Sequence, residues 1–317
     1  MKAILFVGHG SRDQEGNQQV REFLGEMRKN WDDSLLVETC FLEFERPTVK
    51  QGIDLCVEKG ADHIVVVPIM LLQAGHSKIH IPAAIDEAKK QYPLVQFTYG
   101  RPIGVHEETF EILKTRVSEI GENWEAPEDE TAILLLGRGG SDPDANSDLY
   151  KIARLLWEKT NFKIVEPAFM GVTNPLVNEG IERCIKLGAK KVVILPYFLF
   201  TGILIKRLED MMVPIQNQYS AIEFKLADYF GYHPKLQTIL MDRVEEALRD
   251  EVKMNCDTCQ YRLNVMEHID HHHHHDHDHD HHHGHDHDHH HHHHNHNHVH
   301  DHHHAHDHTV QKAGDRG

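Results

Sequence analysis

Short runs of β-branched and other apolar residues alternate along the chain with longer stretches in which apolar positions recur every three to four residues. In the first half the runs predict strands near 3–8, 34–42, 62–68 and 94–99, and the helical-period stretches fall near 13–30, 47–60, 81–91 and 105–120. The strands are apolar nearly throughout rather than at alternate positions, the pattern of a parallel sheet covered on both faces. Strand–helix alternation of this kind builds right-handed βαβ units. The reading is α/β: a three-layer α/β/α domain around a four-stranded parallel sheet.

The order then repeats. Ala3-Ile4-Leu5-Phe6-Val7-Gly8-His9-Gly10 is echoed at an offset of 129 by Ala132-Ile133-Leu134-Leu135-Leu136-Gly137-Arg138-Gly139. PTVKQGIDLCVEKGADHIVVVP (47–68) lines up with PLVNEGIERCIKLGAKKVVILP (175–196), with nine of 22 positions identical. Two tandem copies of one unit are expected, at 1–122 and 131–252, joined by the polar, Pro-containing stretch GENWEAPEDE (121–130). Residues 253–317 form a third segment of different composition.

Length and composition narrow the class. At 317 residues with 39% apolar content, the chain is long enough for two well-buried cores. It contains no run of about 18 apolar residues, so no transmembrane helix is expected. MKAILFVGHGSRD reads as a buried strand entering a loop rather than a secretory signal. Five scattered cysteines do not make a disulfide framework. A cytoplasmic location follows as the expectation. The formal charge of −17 leaves about −11 on residues 1–270. That balance argues against general nucleic-acid binding, which needs a basic face. A polyanionic ligand would need local basic help.

Ligands of open parallel sheets sit beyond the carboxyl ends of the strands. His9 follows the first strand, Glu43 the second in CFLEFERP, and His76 the third in PIMLLQAGHSKIHIP. The duplication supplies an internal control. The matching positions of the second half hold Arg138, Gly171 and Leu204, although the surrounding scaffold repeats. A purely structural role predicts retention in both halves. Two imidazoles and one carboxylate with open positions suit a labile first-row divalent metal better than a closed structural site. His80 lies four residues after His76, next to a helix start marked by Pro82.

The strand-GHGSRD opening, the carboxylate in FLEFERP and the LLQAGHSKIHIP segment resemble the class II chelatases, a family that includes sirohydrochlorin cobaltochelatases and ferrochelatases. The resemblance covers residues 1 to about 250 as a tandem two-domain form. It implies insertion of a divalent metal into sirohydrochlorin with release of two protons, an early step of anaerobic cobalamin biosynthesis when the metal is Co2+. Fe2+ or Ni2+ are the alternatives. Carried over by position, His9, Glu43 and His76 become the metal-binding and catalytic residues, and the second domain becomes catalytically silent. Sirohydrochlorin is a polycarboxylate, so donors in the strand-end loops are its candidate partners: Ser11, Arg12, Arg46, Ser77, Lys78 and Arg101. Helix N-termini would add favourable dipole ends.

The C-terminal segment is set apart by histidine. Of 33 histidines, 26 lie between His271 and His308, interleaved with Asp and Asn. Such a stretch is expected to form no core and to bind several Co2+, Ni2+ or Zn2+ ions weakly, for buffering or local delivery. Cys256 and Cys259 form a CxxC ahead of it, and zinc, a redox pair and an Fe–S cluster all fit that spacing. Cys56 and Cys184 occupy matched helical positions and Cys40 matches Ala168, so these three read as core. The CxxC and His-rich tail resemble the long cobaltochelatase form of bacilli. That resemblance implies an Fe–S cluster and, as a corollary, a homodimer bridged through the CxxC segment. The rival readings are the same reaction with Fe2+, giving sirohaem, and a non-enzymatic metal store or metallochaperone. No P-loop, nucleophile elbow or dinucleotide fingerprint supports another α/β enzyme.

Overall fold

Each half opens on a strand that is apolar on both faces, and each of those strands becomes an interior strand of a parallel sheet. The computed structural model describes residues 1–29, 31, 35–249 and 251, with His76 given by its backbone alone. Its first half runs β1 (Lys2–Gly8), α1 (Gln14–Arg28), β2 (Leu36–Phe41), α2 (Val49–Glu58) and β3 (His63–Ile69). A π-helical turn (His76–His80) then leads into α3 (Ile81–Gln91), β4 (Gln96–Tyr99) and α4 (Glu107–Glu119). The second half repeats the order as β5 (Thr131–Gly137), α5 (Pro143–Glu158), β6 (Ile164–Phe169), α6 (Val177–Lys186) and β7 (Lys191–Pro196). It closes with α7 (Ile203–Gln218), β8 (Glu223–Leu226) and α8 (Pro234–Leu248). The sheets have strand orders β2-β1-β3-β4 and β6-β5-β7-β8, with every neighbouring pair parallel. The expected α/β class and both four-stranded sheets are present. Register repeats as well: Val7 lies opposite Cys40 and Pro68, and its counterpart Leu136 lies opposite Ala168 and Pro196.

The period-2 alternation of the strands decides where each half buries its residues. Ala3, Leu5 and Val7 point to a core closed by α2 and α3, and Ala132, Leu134 and Leu136 to one closed by α6 and α7. The alternate residues Ile4, Phe6, Ile133 and Leu135 all enter a single third core. That core includes Phe23 and Met27 of α1, Ile112 and Leu113 of α4, Leu149 and Ile152 of α5, and Ile239 and Leu240 of α8. The halves are separate as sheets and joined through one continuous apolar layer. Full burial of each such side chain contributes roughly 1.5–3 kcal/mol.

Contacts across that layer come in exchanged pairs. Arg243 of α8 donates to the Pro102 and Ile103 carbonyls at 3.0 and 2.6 Å, and Arg116 of α4 donates to the Phe230 carbonyl at 2.7 Å. His106 Nε2 meets Asp242 at 3.1 Å, and His233 Nε2 meets the Thr115 hydroxyl at 3.1 Å. In the repeat alignment Arg116 matches Arg243, Ile103 matches Phe230, and Thr115 matches Asp242. Each contact therefore occurs twice with the roles of the halves reversed, the signature of an isologous, two-fold arrangement.

The stretch 121–130 is polar in composition yet held in place. Trp124 is buried with its ring edge-on to Phe162, centroids 6.3 Å apart. The buried Glu122 carboxylate pairs with Lys225 at 2.5 Å and Lys191 at 3.3 Å. Cys40, Cys56 and Cys184 are buried, as expected, and burial pushes the Cys56 and Cys184 thiols up to about 12. Among the described residues no helix is long and apolar enough to cross a membrane. Cys256, Cys259 and the histidine-rich stretch lie outside the described residues.

Candidate functional site

Strand order places the three candidate residues beside one another along one sheet edge. His9 follows the central strand β1, and Glu43 and His76 follow its two neighbours, β2 and β3. The loops carrying His9 and Glu43 are in backbone contact. Leu42 N–H donates to the Gly8 carbonyl at 3.0 Å and Glu43 N–H to the His9 carbonyl at 3.1 Å. Gly10 makes this approach feasible, because its φ is +86° and a Cβ there would fall 1.8 Å from the Glu43 carbonyl oxygen. The buried Asn17 fixes the same loop, accepting from Ser11 N–H and donating to the Ser11 carbonyl, both at 2.8 Å. Asp13 then caps α1 by accepting from Glu15 N–H at 3.1 Å.

On this frame His9 Nδ1 sits 3.4 Å from Glu43 Oε1 and 3.0 Å from the Gly10 carbonyl. Its other nitrogen, Nε2, lies 2.9 Å from a guanidinium nitrogen of Arg138. Guanidinium groups only donate, so Nε2 is the acceptor and the proton of the neutral ring resides on Nδ1, facing Gly10 and Glu43. The His9 and Glu43 side chains remain 25% and 36% exposed, open enough for an incoming ion. Among the described residues no group of three His, Cys, Asp or Glu side chains is gathered for a metal. The pair that is present joins a neutral imidazole to a carboxylate, and the His76 backbone lies one strand away. A tight hydrogen bond holds that backbone, with the Tyr99 hydroxyl donating to the Ser77 carbonyl at 2.7 Å. Burial pushes the Tyr99 phenol above its usual range, so it stays a donor. Single π-helical turns of the kind that carries His76 recur at functional sites. In the second half the matching stretch starts directly as α7.

The six expected donors separate into different roles. Ser77 is buried and donates to the Ala74 carbonyl at 2.9 Å, which makes it part of the turn. The Ser11 hydroxyl accepts from Asp13 N–H at 3.0 Å. Arg101 forms two hydrogen bonds to Glu246 of α8, at 2.7 and 2.9 Å. Lys78 crosses to the second half and pairs with Asp142 at 2.8 Å and Asp144 at 3.1 Å. Arg12 and Arg46 are exposed at the mouth, Arg12 lying over the Phe44 ring at 4.8 Å. Phe44 is itself half exposed at φ 61°, and Val172 at the matching position has φ 70°.

Arg138 and Lys206, neither of them in the sequence-derived set, also reach this region from the second half, and Lys206 pairs with Asp13 at 2.6 Å and Glu15 at 2.9 Å. Lys206 matches Lys78, and Asp13 and Glu15 match Asp142 and Asp144. Hydrogen bonds from Lys206 and Lys78 hold the Asp13 and Asp142 carboxyls below the usual aspartate range. The repeat contained the signal: halves related by two-fold packing bring matched strand ends face to face. A concavity of about 800 Å3 bounded by Lys163, Lys190, Lys191 and Glu223 lies by the opposite strand ends of the second half. Its lysines are already paired with Asp129, Glu130 and Glu128, so it reads as a structural groove.

The CbiX family model matches residues 3–120 and again 132–247. Over 272 residues the chain is 74% identical to a sirohydrochlorin cobaltochelatase of Priestia megaterium, spanning 86% of this chain and 88% of that one. It is 40% identical over 248 residues to a sirohydrochlorin ferrochelatase of the same organism, spanning 78% and 91%. Among solved structures, the sirohydrochlorin chelatase SirB of Bacillus subtilis subspecies spizizenii in complex with cobalt aligns with a TM-score of 0.67 at 33% identity. That alignment covers 78% of this chain and 96% of SirB.

Proposed function

The chain belongs to the CbiX family, and from that premise we propose that it is a sirohydrochlorin cobaltochelatase, inserting Co2+ into sirohydrochlorin with release of two protons. The observation that carries this reading is the His9–Glu43 pair at 3.4 Å, built at strand ends of the first half and replaced by Arg138 and Gly171 in the second. Co2+ as the metal rests on the 74% identical relative.

Insertion exchanges two pyrrole N–H protons for one dication, so the site must present the metal to the ring nitrogens and accept protons. Glu43 supplies a carboxylate oxygen, while His9 and His76 supply imidazole nitrogens. A neutral imidazole is both a good ligand for first-row divalent metals and a base near neutral pH. Three ligands leave coordination positions open, so the ion can pass to the macrocycle instead of being held. The Gly10 carbonyl orients the His9 ring through Nδ1, the kind of outer support that metal-binding imidazoles ordinarily have. Arg12 and Arg46 face solvent at the mouth, where substrate carboxylates would lie. The tail histidines serve as a local metal reservoir, and Cys256 with Cys259 would hold an Fe–S cluster, a second chain supplying the remaining ligands. The described cysteines are buried and do not compete for that role. A visible chromophore lost in Cys256→Ser tests the cluster.

The test of the reading is anaerobic insertion of Co2+ and of Fe2+ into sirohydrochlorin, followed by absorbance. Faster turnover with cobalt is expected. Preference for iron would reassign the protein to sirohaem synthesis, and rates no faster than the spontaneous reaction with both metals would refute an enzyme.

A further inference from the structure

Arg138 stands where the repeat places the counterpart of His9, at the end of β5, and two-fold packing of the halves brings these matched positions into contact at 2.9 Å. The two lysines that cross this cleft are committed. Lys78 is held by Asp142 and Asp144, and Lys206 by Asp13 and Glu15. Arg138 is paired, among the described residues, with a neutral imidazole rather than a carboxylate. Its charge is uncompensated by that partner, and its side chain is exposed to solvent.

That pairing cannot survive loading of the site through Nε2. The Nε2 lone pair of His9 can be given to a guanidinium N–H or to a metal ion, and the two cations also repel each other. A metal arriving at Nε2 therefore displaces Arg138. The displaced guanidinium then faces the cleft in which a polycarboxylate macrocycle must lie to receive that metal. Charge-assisted hydrogen bonds to carboxylate, often bidentate for arginine, are about twice as strong as neutral ones. Resting on the chelatase reading, we propose that Arg138 is the second half's contribution to the site: it caps His9 when the site is empty and anchors a substrate carboxylate when either the macrocycle or the metal enters the cleft. Replacement of His by Arg in the duplicate thus converts a lost ligand into a binding group for the neighbouring site.

The test compares full-length wild type, Arg138→Gln and Arg138→Lys. Steady-state constants are measured for sirohydrochlorin and for Co2+, and binding of metal-free sirohydrochlorin is titrated directly by its absorbance. In Arg138→Gln the KM and the directly measured dissociation constant for sirohydrochlorin rise about tenfold, while kcat stays within about threefold. The KM for Co2+ falls or stays level because the competing cation is gone. Arg138→Lys recovers part of the macrocycle affinity, and a fully esterified macrocycle binds wild type and Arg138→Gln equally. Unchanged sirohydrochlorin affinity in Arg138→Gln overturns the inference, as does equal weakening towards the acid and the ester. If wild type fails to insert metal, the chelatase reading falls, and the direct titration still decides whether Arg138 holds carboxylates.

Discussion

The strand ends of the two halves share a backbone and differ in what it carries. In both, a glycine at positive φ lets the first loop touch the second: a Cβ at Gly10 would meet the Glu43 carbonyl at 1.8 Å, and one at Gly139 the Gly171 carbonyl at 2.0 Å. An asparagine staples each first loop, Asn17 in one half and Asn146 in the other. Upon that shared frame the first half places His9, Glu43 and His76, and the second places Arg138, Gly171 and Leu204. The scaffold therefore serves stability, since both copies keep it, and the proposed chemistry is assigned to three side chains of the first half. On that proposal the second half lacks the ligands while keeping the surface that packs against the first half's loops.

The largest expected effect separates the halves by activity. His9→Ala lowers the insertion rate by about a hundred- to ten-thousandfold, measured by anaerobic absorbance, the range for loss of a positioned base. Gly171→Ala, at the position matching Glu43 and with open space around its Cβ, leaves the rate unchanged. Next come the matched arginines of the shared layer. Arg243 is 2% exposed and paired with Glu246 at 2.8 Å, so Arg243→Ala costs about 3–5 kcal/mol in urea unfolding. Arg116, in a more open place beside Glu119, costs roughly half that when truncated, because water can reach its former partners. Third, Gly10→Ala and Gly139→Ala each destabilise by about 1–3 kcal/mol through the clash with a neighbouring carbonyl, but only Gly10→Ala also weakens Co2+ insertion.

The smallest effect concerns the crossed lysines. Removing Lys78 costs about 0.5–1 kcal/mol, as befits a partly exposed pair, and removing Lys206 also lowers stability. The two losses add, since the sites share no partner. Because these lysines hold Asp13 and Asp142 below the usual aspartate range, the ion pairs contribute fully above about pH 4 and fade as pH falls through the lowered values. Melting temperatures of wild type and the Lys78→Ala/Lys206→Ala double variant should differ at pH 6 and converge towards pH 3. A difference that does not shrink as the pH falls from 6 to 3 would assign the lysines a role apart from these carboxylates.

Much of this was legible in the sequence for identifiable physical reasons. The continuous apolar runs around Leu5 and Leu134 demand cover on both sheet faces, which settles the layers. The repeat then fixes matched positions such as Cys40 and Ala168. Candidate residues at strand ends follow from the sheet's polarity. How the halves sit together was not legible, because the contact layer is built from residues such as Phe23, Ile112 and Leu240 that would read equally well as a private core. That hid the meeting of Arg138 with His9 and the commitment of Arg101 to Glu246. The polar composition of 121–130 likewise masked Trp124, which pins the stretch through a single buried ring.

Whether one half alone holds the metal for insertion can be read from anomalous diffraction at the cobalt edge, using crystals of the protein soaked in Co2+. A peak is expected within about 2–2.5 Å of a His9 nitrogen and a Glu43 oxygen, with no peak at Arg138, Gly171 and Leu204. Cobalt bound at the second half's strand ends, or absent from His9 and Glu43 under conditions that support insertion, would contradict it.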